Sequence, residues 1–321
     1  MAFFDLPLDK LQSYQSSSIC PDDFDAFWAR TLKDHASHDP AVKLTPFEPD
    51  TLKTIQAFDV TYAGFDGQPI KGWFIKPANA QGPLPCIVIY HGYGGGRGLP
   101  IDVYNNWPTQ IGMASFVMDT RGQGGGETGD PTGSAGPTTS GYMTRGIESP
   151  DNYYYRRVYT DAVMAIRAAA SLADVDPKRI GVTGGSQGGG ISIAAAALTP
   201  HPIQIVMPDV PFLCDFPRAT SILDSMPYAE ISRFLGQQRS RIDQTFKTLS
   251  YFDGVHLAPR IKARALFSVG LMDNICPPST VYAAYNQVKS DKEMRIYHYN
   301  NHEGGGVVQL LERMRFAVKH L

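Results

Sequence analysis

Ser186 stands among glycines, in Gly184-Gly185-Ser186-Gln187-Gly188, and a serine placed this way suits nucleophilic attack on a carbonyl. The residues before it, Arg179 to Thr183, read as a β-strand, and Ile191 to Leu198 read as a helix. A strand that turns abruptly into a helix brings main chain very close together, and residues without a Cβ permit that approach. The turn lifts the serine hydroxyl clear of the sheet, and the new helix aims its positive N-terminal end at the same point. A serine hydroxyl is nevertheless a weak nucleophile. It needs a base, and the base needs a carboxylate to orient it.

Two later loops supply candidates. Asp273 follows the strand-like run Ala265–Val269, in Gly270-Leu271-Met272-Asp273, and His302 follows a run ending at Tyr299, in Asn300-Asn301-His302-Glu303. Serine, then acid, then histidine is the order found in α/β-hydrolases. Asp273 also has a plainer reading as a turn or helix-capping aspartate ahead of Pro277-Pro278, and Asp209, after the run Ile203–Met207, is its rival as the acid. His91 and His298 compete with His302, but His298 falls inside a strand-like run and His91 precedes the serine.

Acyl transfer builds negative charge on a carbonyl oxygen, and two main-chain N–H groups aimed at that oxygen lower the barrier. One donor is expected from Gln187, the residue after the nucleophile. The other is expected from His91-Gly92-Tyr93-Gly94-Gly95-Gly96, directly after the apolar run Cys86–Tyr90, with Tyr93 as the donor. Arg121 and Glu303 lie in loops beside this site and are expected to form a supporting ion pair. The glycine-rich stretches Gly94–Gly98 and Gly304–Gly306 flank the same place, where they would widen the pocket or loosen its loops, or else reflect ordinary loop drift.

Other chemistries fit poorly. No Gly-Lys-Ser/Thr follows the first glycine-rich loop, so it is no phosphate cradle. Gly124 to Gly129 matches G-x-G-x-x-G but leads into Asp130-Pro131 rather than a helix. His302-Glu303 lacks the second histidine of a zinc peptidase motif. No cofactor and no metal is expected.

The elements that must position these residues are legible as an alternation. Apolar runs at Cys86–Tyr90, Ala114–Met118, Ile180–Thr183, Ile203–Met207, Ala265–Val269 and Met294–Tyr299 are unbroken, as in a parallel sheet covered by helices on both faces. Between them, residues 158–172 place Tyr159, Ala162, Val163, Ile166, Ala169 and Ala170 on one helical stripe, with Asp161 and Arg167 elsewhere on the surface. Ala57–Tyr62 and Ile70–Ile75 flank a Gly-Phe-Asp-Gly turn and read as an antiparallel hairpin at the sheet edge. The expectation is a single α/β-hydrolase domain over residues 1–321. It has an N-terminal extension over 1–55 containing a helix after Pro21-Asp22-Asp23, a long loop over 122–146, and an insertion near 210–260 serving as lid or subunit contact.

Composition agrees with this class. The 321 residues are 43% hydrophobic and 19% charged, which suits a soluble globular chain. A net charge of −2 gives no footprint for nucleic acid or an anionic membrane. Met1 to Asp5 lacks a basic n-region and a long apolar core, no run approaches the length of a membrane span, and the four cysteines are dispersed. A cytoplasmic location with a small-molecule substrate is the expectation.

With these residues in place, the chain resembles carbohydrate esterase family seven, the acetyl xylan esterases and cephalosporin-C deacetylases. The resemblance rests on Arg121-Gly122-Gln123-Gly124, Gly184 to Gly189 and His302-Glu303. It extends to Phe4 to Leu8, His91-Gly92-Tyr93, Asp151 to Arg156 and Thr248 to Asp253. It implies a metal-independent cytoplasmic deacetylase acting on small acetylated sugars and cephalosporin C, with Ser186, Asp273 and His302 as triad and the Tyr93 and Gln187 amides as oxyanion hole. It also implies a ring-shaped homohexamer with its sites facing an internal cavity. The alternatives are a broad carboxylesterase, a peptidase-like acyl hydrolase on the same fold, or a non-catalytic binding protein.

Overall fold

The computed structural model describes residues 3–36, 39–124, 127–131 and 140–321. Its frame is a nine-stranded sheet. In chain order the strands are β1 (Lys43–Phe47), β2 (Ile55–Ala63), β3 (Pro69–Pro77), β4 (Leu84–Tyr90), β5 (Ala114–Met118), β6 (Val175–Gly185), β7 (Ile205–Asp209), β8 (Arg264–Gly270) and β9 (Lys292–Tyr297). They lie in the order β1-β2-β3-β5-β4-β6-β7-β8-β9. The pairs from β1 to β5 are antiparallel, and those from β5 through β9 are parallel.

Alternation along the central strands gives the sheet two buried faces. In β4, Cys86, Val88 and Tyr90 join one apolar cluster while Ile87 and Ile89 join the other. The first cluster takes in the helices Tyr154–Ala170 and Gln187–Leu198, and the second takes in Trp107, Phe316 and Ala317 on the opposite side. This is the α/β-hydrolase architecture, a mostly parallel sheet between helical layers.

Several sequence expectations change in detail. The hairpin is β2–β3, paired from Ile55↔Pro77 to Ala63↔Pro69, but it is not the edge. β1 lies outside it, largely exposed and containing Pro46, and is held by its ladder to β2 rather than by an apolar pattern of its own. Asp161 is fully buried, not on the surface, because it faces an arginine described below. Residues 210–260 are helical, with segments Phe216–Ile222, Ala229–Gln237 and Ile242–Ser250. The N-terminal part contributes the helix Phe24–Ala36, whose Phe24, Phe27 and Trp28 are buried. Part of the expected loop over 122–146, with Gly125 and Gly126, lies outside the described residues. Among the described residues no helix is long and apolar enough to cross a membrane.

Candidate active site

Ser186 sits at the junction of β6 and the helix Gln187–Leu198, with φ 55° and ψ −120°. A non-glycine residue in that region is strained by about 1–3 kcal/mol and needs surrounding structure to hold it. The main chain supplies the hold. The Ser186 N–H donates to the Asp209 carbonyl at 2.9 Å, and the Ser186 carbonyl accepts from Phe212 and Gly190 N–H at 2.9 and 3.1 Å. The flanking glycines are steric requirements. A Cβ on Gly188 would overlap the Tyr90 carbonyl, and one on Gly184 would overlap the Gly188 backbone.

The Ser186 hydroxyl and His302 Nε2 are 3.0 Å apart, and His302 Nδ1 lies 2.9 Å from Asp273 Oδ2. Asp273 is fully buried, and its other oxygen accepts from Ile275 and Cys276 N–H at 2.8 and 2.9 Å. The turn-capping and orienting readings of Asp273 are therefore one arrangement: one oxygen fixes the loop and the other fixes the imidazole. The rival Asp209 is instead engaged by the Ser268 hydroxyl. His298 is exposed in the turn just after β9, which ends at Tyr297. His91 lines the same cavity as Ser186, and its ring lies 5.5 Å from that of Tyr104, centroid to centroid.

Gln187 opens its helix, so its N–H is among the first-turn donors without an intrahelical acceptor. Its fully buried side chain locks the neighbouring loop. Nε2 donates to the His91 and Gly92 carbonyls at 3.2 and 3.3 Å, while Oε1 accepts from Tyr155 OH at 2.8 Å. Gln123 pairs amide to amide with it and also accepts from Gly94 N–H at 2.8 Å. Tyr93 lies in the turn closed by Gly95 N–H on the Gly92 carbonyl at 3.0 Å, a bond that leaves the Tyr93 N–H unused. Its phenol donates to Glu230 Oε1 at 2.6 Å and accepts from Tyr142 N–H at 3.1 Å. Burial and the Glu230 carboxylate push the phenol pKa up, so it remains a donor. Gln123 and Tyr155 stand in the sequence only within the motifs of the resemblance, without a role, and Glu230 stands in none, because each reaches the site from another element.

The expected Arg121–Glu303 pair is not formed. Arg121 is fully buried and grips Asp161 with two bonds of 2.6 and 2.8 Å, with Gln68 and Asp130 at 2.7 and 3.3 Å. Burial opposes its charge, but the Asp161 and Asp130 carboxylates outweigh that and raise its pKa. Glu303 is exposed and accepts from the Asn300 side chain and Asn301 N–H at 3.0 and 3.2 Å, contacts that hold its carboxyl below the usual range. The two charges thus serve different elements.

Asp273, Cys276 and His302 each place one ligand atom within 4.8 Å of the others. Those donors are committed elsewhere: the Asp273 oxygens are taken as described, and burial, with the Asp273 charge, pushes the Cys276 thiol up so that it stays protonated. The set is poorly suited to a metal. Ser186 and His302 open onto a cavity of about 670 Å³, lined also by His91, Tyr104, Asn105 and Arg313. The arrangement offers a nucleophile, a base and a buried orienter, which is the equipment for acyl transfer.

The family model for acetyl xylan esterase (AXE1) matches residues 1–320. An acetyl xylan esterase from Paenibacillus sp. R4 superposes with a TM-score of 0.91 at 40% identity, covering 98% of this chain and 100% of that one. Acetyl xylan esterase 1 from Thermoanaerobacterium sp. JW/SL YS485 gives 0.89 at 35% identity, covering 98% and 99%. The acetyl esterase Axe7A of Xylanibacter ruminicola is 28% identical over 287 residues, which is 88% of this chain. The chain spans 63% of that relative's length.

Proposed function

The chain belongs to the acetyl xylan esterase family and is a carboxylic ester hydrolase, and we propose that it removes acetyl groups from small acetylated sugars through an acetyl-enzyme. Ser186 attacks the acetyl carbonyl while His302 Nε2 takes its proton. Asp273 holds the imidazole through Nδ1 and stabilises the cation that forms. The Tyr93 and Gln187 N–H groups receive the oxyanion. The imidazolium then protonates the departing sugar oxygen, and water, activated by His302, releases acetate. The observation that carries this reading is the hydrogen-bond chain Ser186–His302–Asp273, at 3.0 and 2.9 Å, in a chain matched along residues 1–320 by the family model.

Acetylated xylo-oligosaccharides are the proposed substrates, with cephalosporin C as a second. The protein is further proposed to be a cytoplasmic homohexamer, with residues 210–260 at a lid or contact. The family resemblance supports the location and the hexamer, the place of residues 210–260 in the chain, between β7 and β8, supports the lid or contact, and size-exclusion with light scattering tests the assembly. Hydrolysis of p-nitrophenyl acetate, butyrate and octanoate, acetylated xylose, cephalosporin C and a peptide amide tests the activity, together with fluorophosphonate labelling. The expected result is turnover that falls with acyl length, and labelling lost in Ser186→Ala. Peptide cleavage at a rate above acetate hydrolysis, or no labelling of the folded protein, would overturn it.

A further inference from the structure

We infer that Arg313, with His91 and Asn105, forms a subsite in the cavity beside Ser186 for a carboxylate carried by the ester substrate; the inference rests on the esterase reading. Arg97, Arg121, Arg157 and Arg313 are all buried. Arg97 pairs with Asp59 and Glu127, Arg121 with Asp161 and Asp130, and Arg157 with Asp130. Arg313, at 4% exposure, has no carboxylate at ion-pair distance among the described residues. Its Nη1 makes a long 3.4 Å contact to Thr183 Oγ1, and its Nε is buried without a partner. The Tyr104 and Trp107 rings pack around the guanidinium, with centroids 5.9 and 5.8 Å from Cζ, and the Tyr104 hydroxyl, a neutral group, also faces it. A buried cation without an anion is costly, so proteins pair such groups or keep them for a ligand.

The rest of the wall points the same way. His91 and Asn105 line the same cavity and interact with each other, and His91 Nε2 and Asn105 Oδ1 are buried with no partner at full hydrogen-bond geometry. Burial pushes His91 down to about 4, so the imidazole is neutral and offers one hydrogen bond to a ligand. A cation, a neutral imidazole and an amide carbonyl together complement a carboxylate with a neighbouring hydroxyl, as in an acetylated hexuronic acid. Asp102, Asp209 and Glu303 also line the cavity, and Arg313 is the only lysine or arginine among its described lining residues. A ligand carboxylate therefore seats against Arg313.

The test compares tetra-O-acetyl glucuronic acid with its methyl ester, which differ by one charge. In wild type the acid's kcat/KM should exceed the ester's about tenfold, the advantage shrinking as salt rises. Arg313→Gln should lower that ratio about tenfold, and Arg313→Lys should keep part of it. Calorimetry on Ser186→Ala, which reads binding without turnover, should show tighter binding of the acid and loss of that preference in Ser186→Ala/Arg313→Gln. A wild-type ratio near one, or a ratio unmoved by Arg313→Gln, overturns the subsite and leaves the esterase reading standing. Binding discrimination without turnover of either ester overturns the esterase reading and leaves the subsite standing. Should Arg313→Gln fail to fold, the wild-type ratio and the Lys variant decide the matter.

Discussion

Glu230 should control the oxyanion loop although it touches no substrate. It is nearly buried, at 9% exposure, on the helix Ala229–Gln237. Its Oε1 accepts from Tyr93 OH at 2.6 Å and Gly141 N–H at 2.9 Å, and its Oε2 accepts from Met143 N–H at 3.1 Å. Glu230→Ala strands three donors. Each costs about 1–3 kcal/mol when left buried and unpaired, and water entering the vacated space favours the low end, so about 3 kcal/mol of stability is at stake. Glu230→Gln keeps an oxygen for Tyr93 and Gly141 and sets an amide against Met143 N–H, for a loss of about 1–2 kcal/mol. Deleting an oxyanion donor costs about 10²–10³ in rate, and here the Tyr93 N–H is displaced rather than deleted, so kcat should fall about 10–100-fold in Glu230→Ala. KM should change little, because the loss falls on the transition state. Steady-state hydrolysis of p-nitrophenyl acetate and a melting curve on the same preparations provide the readout, with Tyr93→Phe as the partner variant. A Glu230→Ala protein that melts lower yet keeps kcat within about twofold would refute the coupling, since the loop would then hold its geometry unaided.

Asp273→Asn should lower kcat by about 10⁴ by presenting the wrong hydrogen-bond partner to His302, whereas Asp209→Asn should cost far less; the reverse ranking would move the orienting role. Arg121→Ala should destabilise the fold by about 3–5 kcal/mol, because it leaves Asp161 buried and uncompensated, and a double-mutant cycle with Glu303→Ala should be additive. The buried His256, its ring nitrogen 2.9 Å from Ser18 Oγ, has its pKa pushed down to about 4 by burial and then by Arg260. The unfolded chain holds that proton near pH 6.5, so stability is fully present above about 6.5 and is lost as pH falls toward 4, by up to about 3 kcal/mol. The melting temperatures of wild type and His256→Asn should therefore converge between pH 7 and 4.5; parallel profiles would exclude His256 as the source.

What the sequence showed and what it hid divide along a physical line. The elbow was legible because its demand is local and steric: Gly184 and Gly188 are where main chain passes too close for a Cβ. β4 and β5 were legible because strands buried on both faces carry unbroken apolar runs. β1 was not, since an exposed edge strand containing Pro46 owes its form to its neighbour. Asp161 looked like a surface residue because helical periodicity separates apolar from polar, not paired from solvated. Glu230 and Arg313 stayed hidden for a related reason. Their roles arise from contacts across the fold, and neither has a motif at fixed spacing.

The way Ser186 is tied into the sheet has a consequence for when its chemistry is lost. Both of its main-chain groups are bonded to the end of β7 and the segment that follows it, through the Asp209 carbonyl and the Phe212 N–H, so the elbow cannot open without parting the central strands. The amides of Ser186 and Phe212 should therefore exchange with solvent deuterium only through global unfolding. Reactivity and fold then disappear together on heating, and fluorophosphonate labelling becomes a direct count of native molecules.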